Sequence, residues 1–178
     1  MTESAFVVRV PEAEPYVSHL REQFDPVAKL GMPAHITLLF PFASPELIDT
    51  AVVEQARAVV AGVHRFAFTL ARIGLFPDVL YLVPEPSGPF VALTERLVRQ
   101  FPEFPPYGGQ YKGVVPHLTV AHGSGSEHSR AEVELQSALS ASGGIACSGT
   151  EVALMGSASG QWRQMHVFPL GGIARAAG

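Results

Sequence analysis

The sequence predicts an α/β (α+β) fold of two merged lobes, and three observations predict it. Helical and strand-like runs alternate along the 178 residues, an order that favours mixed layers of helix on sheet. Two pairs of strand-like runs are each joined by a short turn, which reads as two antiparallel hairpins. The order helix, strand, helix, hairpin occurs once in each half, and in both halves the lone strand carries His-x-Thr: "HITL" from His35 and "HLTV" from His117. The expected organisation is one domain over residues 1–178, with each lobe supplying one such strand.

The elements follow in order. "AFVVRV" from Ala5 is a first strand, and Pro11 opens a helix to about Phe24 with Tyr16 and Leu20 at helical spacing. His35 to Phe40 is a strand that Pro41 ends. Ser44, Pro45 and Glu46 supply an N-cap, a proline at the first helical position and an early acid, so a helix is expected from there to about Val63. Two strand-like runs then meet at Pro77-Asp78 as a hairpin. Ser87 to Phe101 is helical, with Leu93, Leu97 and Phe101 on one core-facing stripe. A Pro/Gly-rich loop, "PEFPPYGGQYKGVVP", leads to the strand of His117; a helix over about Ser129 to Ser140 follows. "ACSGTEVALMGS" and "WRQMHVFPL" make the second hairpin, before a frayed end.

Composition narrows the function. Hydrophobic residues make up 47% of the chain, enough for a core without metal or disulfide support, and Cys147 has no partner for a bridge. No basic leader and no uninterrupted apolar span is present, so a soluble, cytoplasmic monomer away from membranes is expected. The net charge of −4 and the lack of a Lys/Arg run argue against gripping a long duplex. A small phosphate ligand or an RNA end fits this balance better.

The doubled motif carries the chemistry. On a strand, side chains alternate faces, so His35 and Thr37 share one face and His117 and Thr119 share another. An approximate twofold would let two imidazoles and two hydroxyls line one cleft. Displacement at a phosphodiester uses such a set, because in-line attack needs a base on the entering side and an acid on the leaving side. Histidine serves either role near neutral pH, and hydroxyls can hold the non-bridging oxygens. No metal or other cofactor is required by this inventory.

His35-Ile36-Thr37-Leu38 and His117-Leu118-Thr119-Val120 resemble the paired His-x-Thr/Ser signatures of the two-histidine (2H) phosphoesterase superfamily, which includes bacterial 2′-5′ RNA ligases and cyclic nucleotide phosphodiesterases. The resemblance covers most of the chain. It implies a bilobal fold in which two pseudo-symmetric lobes of antiparallel sheet plus helices surround a central groove. It implies opening of a 2′,3′-cyclic phosphate, on an RNA terminus or a small nucleotide, and in some members 2′-5′ joining of RNA ends. His35 and His117 become the acid/base pair, with a slight preference for His117 as the base, and Thr37 and Thr119 become the phosphate holders. RNA ligase-like members often carry a basic residue after the second motif; His122 stands there in this chain, which loosens the link to RNA.

Further substrate contacts are expected from Lys112, Arg163 and Phe42, with Arg72, Trp162 and Tyr111 as lesser candidates for phosphate or base. On a continuous strand His122, five positions after His117, faces away from it and belongs to the rim. His166 is expected to be partly buried, and His19, His64 and His128 to lie on the surface. The alternatives are a nucleotide-binding module of the same fold without turnover, and a metal site on His35, His117 and His122, which lacks the accompanying carboxylate or thiolate.

Overall fold

A computed structural model describes residues 2–110 and 113–172. Its chain order is β1 (Ser4–Arg9), α1 (Glu14–Phe24), α2 (Pro26–Lys29), β2 (His35–Leu39), α3 (Thr50–Ala61), β3 (Phe66–Phe76), β4 (Val79–Glu85), α4 (Gly88–Gln100), β5 (Leu118–His122), α5 (Ser126–Ser142), β6 (Ile145–Gly149), β7 (Glu151–Gly156) and β8 (Arg163–Pro169). Among the described residues the strands form two four-stranded antiparallel sheets, ordered β2-β1-β7-β8 and β5-β4-β3-β6. Each motif strand is thus the edge of its sheet.

The lobes are not the two halves of the chain. The first sheet takes its strands from both ends and the second from the middle. The run "ACSGTEVALMGS" accordingly splits at Thr150: β6 pairs with β3 in the second sheet and β7 with β1 and β8 in the first. Both pieces bury every second side chain or more, so pattern alone gives no sign of the break.

Helices are exchanged between lobes as well. The helix before the first motif, α1, packs on β5, whereas α4, from the middle of the chain, packs on β2. Period-3.6 burial drives both contacts. Val17, Leu20 and Arg21 are buried on α1, and Phe90, Leu93, Thr94 and Leu97 on α4. One continuous apolar core results, running from Phe6 and Ile36 through Leu80 and Leu118 to Phe168. Each such buried Leu or Phe side chain contributes about 1.5–3 kcal/mol from burial, so the interlock ties the two motif strands into one packed unit.

The helix expected from Ser44 starts later. Pro45–Leu47 is only a 3₁₀ turn without a side-chain cap, and α3 begins where the Asp49 carboxylate accepts from the Val52 N–H at 2.9 Å. Asp at the N-cap satisfies an orphan amide and places negative charge at the positive helix end. No helix of the described residues is long and apolar enough to cross a membrane.

Candidate active site

The edge strands β2 and β5 lie against each other where the lobes meet, which brings the two motifs together. Their local geometry repeats. His35 Nδ1 sits 2.8 Å from the Pro33 carbonyl, and His117 Nδ1 sits 2.7 Å from the Val115 carbonyl. A carbonyl only accepts, so Nδ1 carries the proton in both rings and Nε2 is the nitrogen left for chemistry. Thr37 and Thr119 share the faces of their histidines and are half-buried, and neither hydroxyl is hydrogen-bonded among the described residues.

A bulge is repeated too. Opposite Phe6 and Val7 stand Leu39 and Thr37, leaving Leu38 as the extra residue; opposite Leu80 and Tyr81 stand Ala121 and Thr119, leaving Val120. A bulge reverses the alternation beyond it. Leu39 and Ala121 therefore turn into the core at 0% and 1% exposure, and Phe40 and His122 come to the site side. The continuous strand expected after His117 is interrupted, and His122 faces the groove rather than away from it. The first bulge is pinned: the buried Thr94 hydroxyl on α4 donates to the Leu38 carbonyl at 2.9 Å.

The two imidazoles differ in their surroundings. Burial pushes His35 down to about 4, opposed by the Pro33 carbonyl; Arg21 and a charge on His117 lower it further, and Asp25 raises it. Burial also lowers His117, with the Val115 carbonyl opposing and His122 adding to the fall. The influence of His117 on His35 reports proximity, because charges couple appreciably only at short range. Arg21 and Asp25 form an ion pair at 2.9 Å with side chains 3% and 0% exposed. Asp25 Oδ1 also stands 3.8 Å from His122 Nε2, so one carboxylate at the end of α1 lies close to a residue of the second motif strand.

Sequence reasoning missed several neighbours. Arg9 is directly opposite His35 across the β1–β2 ladder; it is held by Gln164 at 2.5 Å and Glu151 at 2.6 Å. Its place in "FVVRV" was its only signal. Phe76 and Tyr81 meet His117 edge-on, with ring centroids 5.3 and 5.4 Å from the imidazole. Both lay in strand runs whose aromatics look like ordinary β formers.

The other residues singled out in the sequence are spread through the fold. Phe42 is 5% exposed, its ring packed among Phe6, Phe101 and Phe104; it is core, because the chain turns inward after Pro41. Arg163 is exposed on β8, the far edge of the first sheet, with two strands between it and β2. Lys112 and Tyr111 lie outside the described residues. Arg72 is exposed and paired with Glu85 at 2.8 Å. Trp162 is 8% exposed and packs with Met32, Val7 and Met155 on the Thr37 side of the first sheet. His166 is half-buried against Phe168, and His19 is exposed beside Glu134. His64 is tied to the Gly172 carbonyl. His128 is half-buried, with Nε2 enclosed and unpartnered among the described residues.

Comparison with known proteins agrees with this fold. Residues 9–161 match the 2′-5′ RNA ligase superfamily. A Bacillus cytotoxicus protein named as an inferred phosphoesterase is 31% identical over 113 residues, covering 61% of this chain and 63% of that protein. The chain therefore aligns with less than two thirds of that relative's length. Escherichia coli LigT, solved with 3′-AMP, shares the fold at a TM-score of 0.63 and 18% identity, over 95% of this chain and 98% of LigT. A Thermus thermophilus protein, TT0787, gives the same TM-score and identity, over 96% and 98%. Two antiparallel sheets with a His-x-Thr strand at the edge of each, on a sequence matched over residues 9–161, place this chain in the 2′-5′ RNA ligase superfamily of 2H phosphoesterases.

Proposed function

We propose that the protein is a metal-independent cyclic phosphodiesterase that opens 2′,3′-cyclic phosphates on small nucleotides or RNA ends. The observation that carries this reading is the matched pair of imidazoles. Each is fixed through Nδ1–H to the carbonyl two residues before it, and each leaves Nε2 for proton transfer.

In the reaction, one Nε2 takes a proton from water as its oxygen bonds to phosphorus. The P–O3′ bond breaks, and the other Nε2 gives its proton to the departing 3′ oxygen. The product is a 2′-phosphate with a free 3′-hydroxyl, and the two rings have exchanged protonation states. Thr37 and Thr119 donate to the non-bridging oxygens, where charge builds in the transition state. With His35 pushed down to about 4, the single proton of the pair resides on His117. His35 is then the base and His117 the acid, opposite to the preference drawn from the motif alone. Replacing water by an RNA 5′-hydroxyl, in the reverse sense, gives 2′-5′ joining.

The test is incubation with adenosine 2′,3′-cyclic phosphate in excess chelator, with 2′- and 3′-phosphate products separated chromatographically. Exclusive formation of the 2′-phosphate supports the proposal. Tight binding without ring opening would instead make the protein a nucleotide-binding module.

A further inference from the structure

Phe76 ends β3 at the tip of the β3–β4 hairpin, and its ring belongs to neither apolar cluster of the molecule. It stacks on Tyr81 with centroids 4.3 Å apart and planes 29° apart, and it stands edge-on to His117. Tyr81 in turn lies over Gly74, its partner across the ladder. A Cβ at Gly74 would come within 2.3 Å of the Tyr81 ring. The glycine is therefore a close-approach position that lets one aromatic lie down and carry a second.

The first lobe is built differently, its site-side aromatics Phe40 and Trp162 meeting edge-on within an apolar cluster. Val7 stands opposite Thr37 where Tyr81 stands opposite Thr119, and its surroundings are closed by Met32 and Trp162. The second sheet is open instead: Ala67, Arg72, Ala146 and Ser148, on the side away from the core, are exposed. A partly exposed aromatic beside an acid/base imidazole, outside the core, adds little to folding and offers a planar surface to a ligand.

We infer that Phe76, seated on Tyr81 and Gly74, is the nucleobase platform of the site. This rests on the reading that phosphorus lies between His35 and His117. A base is then one ribose away from the phosphorus, within reach of a ring 5.3 Å from the His117 imidazole. Stacking of a base on an aromatic side chain is worth about 1–3 kcal/mol and tolerates sequence, so the platform selects nucleotides over base-free phosphates without choosing among bases.

Calorimetric titration of the full chain with adenosine 2′-monophosphate and with inorganic phosphate tests it. Phe76→Ala is expected to weaken the nucleotide by about tenfold and to leave phosphate unchanged, and Phe76→Trp to restore the nucleotide. Equal weakening of both ligands, or of neither, overturns the platform, since a ring that only braces His117 would affect both. A wild-type chain that binds the nucleotide no better than phosphate overturns it as well. Preference for the nucleotide without ring opening of the cyclic substrate would leave the platform standing and remove the hydrolase reading.

Discussion

The two motif strands share a backbone plan and differ in what surrounds it. Both are edge strands, both fix the imidazole through the carbonyl two residues earlier, and both bulge one residue after the threonine. Around His35 lie a buried ion pair, a closed apolar cluster and a bulge carbonyl satisfied by Thr94. Around His117 lie two aromatic rings, an open sheet and His122. Repeated backbone supplies matched geometry, and unequal surroundings supply unequal proton affinity. Unequal affinity favours one of the two singly protonated arrangements, whereas two identical imidazoles would share one proton equally.

Breaking the symmetric part should have the largest effect. His35→Ala and His117→Ala are each expected to lower kcat on a cyclic nucleotide by about 10²–10⁴. The double variant should fall little further, because the two act as one unit. Steady-state kinetics on purified variants with matching circular dichroism spectra checks this. A variant that retains full rate removes that ring from the chemistry.

The unequal part is reached through Arg21. Arg21→Met leaves the Asp25 carboxylate buried without its partner, at an expected cost of about 3–5 kcal/mol in stability, measured by urea unfolding. Where the variant still folds, the loss of a cation and the exposure of His35 to an unopposed Asp25 raise the His35 pKa, since Arg21 lowers it and Asp25 raises it. The acid limb of the rate profile should move to higher pH while the other limb holds.

A smaller effect is expected at the first bulge. Thr94→Val removes the side-chain hydroxyl that donates to the buried Leu38 carbonyl, at about 1–3 kcal/mol. Thr94→Ser, which keeps the hydroxyl, should recover most of it. Thermal unfolding of both variants sharpens the contrast with β5, where no side chain is recorded on the Val120 carbonyl among the described residues.

What the sequence made legible followed from short-range pattern. Strand periodicity and proline placed β1 through β4 to within a residue or two, and the His-x-Thr repeat marked the two histidines that the fold brings together, because both signals are local. Partners remote in the chain were not legible. The split at Thr150 depends on which strands β6 and β7 meet, the bulges depend on pairing across a ladder, and the Gly74–Tyr81 contact depends on register. Phe42 and Phe76 are the same residue type in similar strand-flanking positions, yet only the fold decides that one ring enters the core and the other faces the site. Lone aromatics carry no sign of their destination.

The account turns on two imidazoles serving one phosphorus with unequal grip on a proton, and the pH dependence of kcat/KM on adenosine 2′,3′-cyclic phosphate tests it most directly. One ring must be neutral and the other protonated, and both are held below the ordinary histidine value, His35 at about 4. The predicted profile is a bell whose maximum lies above about 4 and on the acid side of the ordinary value of about 6.5. Activity falls below it as His35 gains a proton, and above it as His117 loses one. A rate that rises steadily into alkaline solution, or that ignores pH across this range, would contradict it.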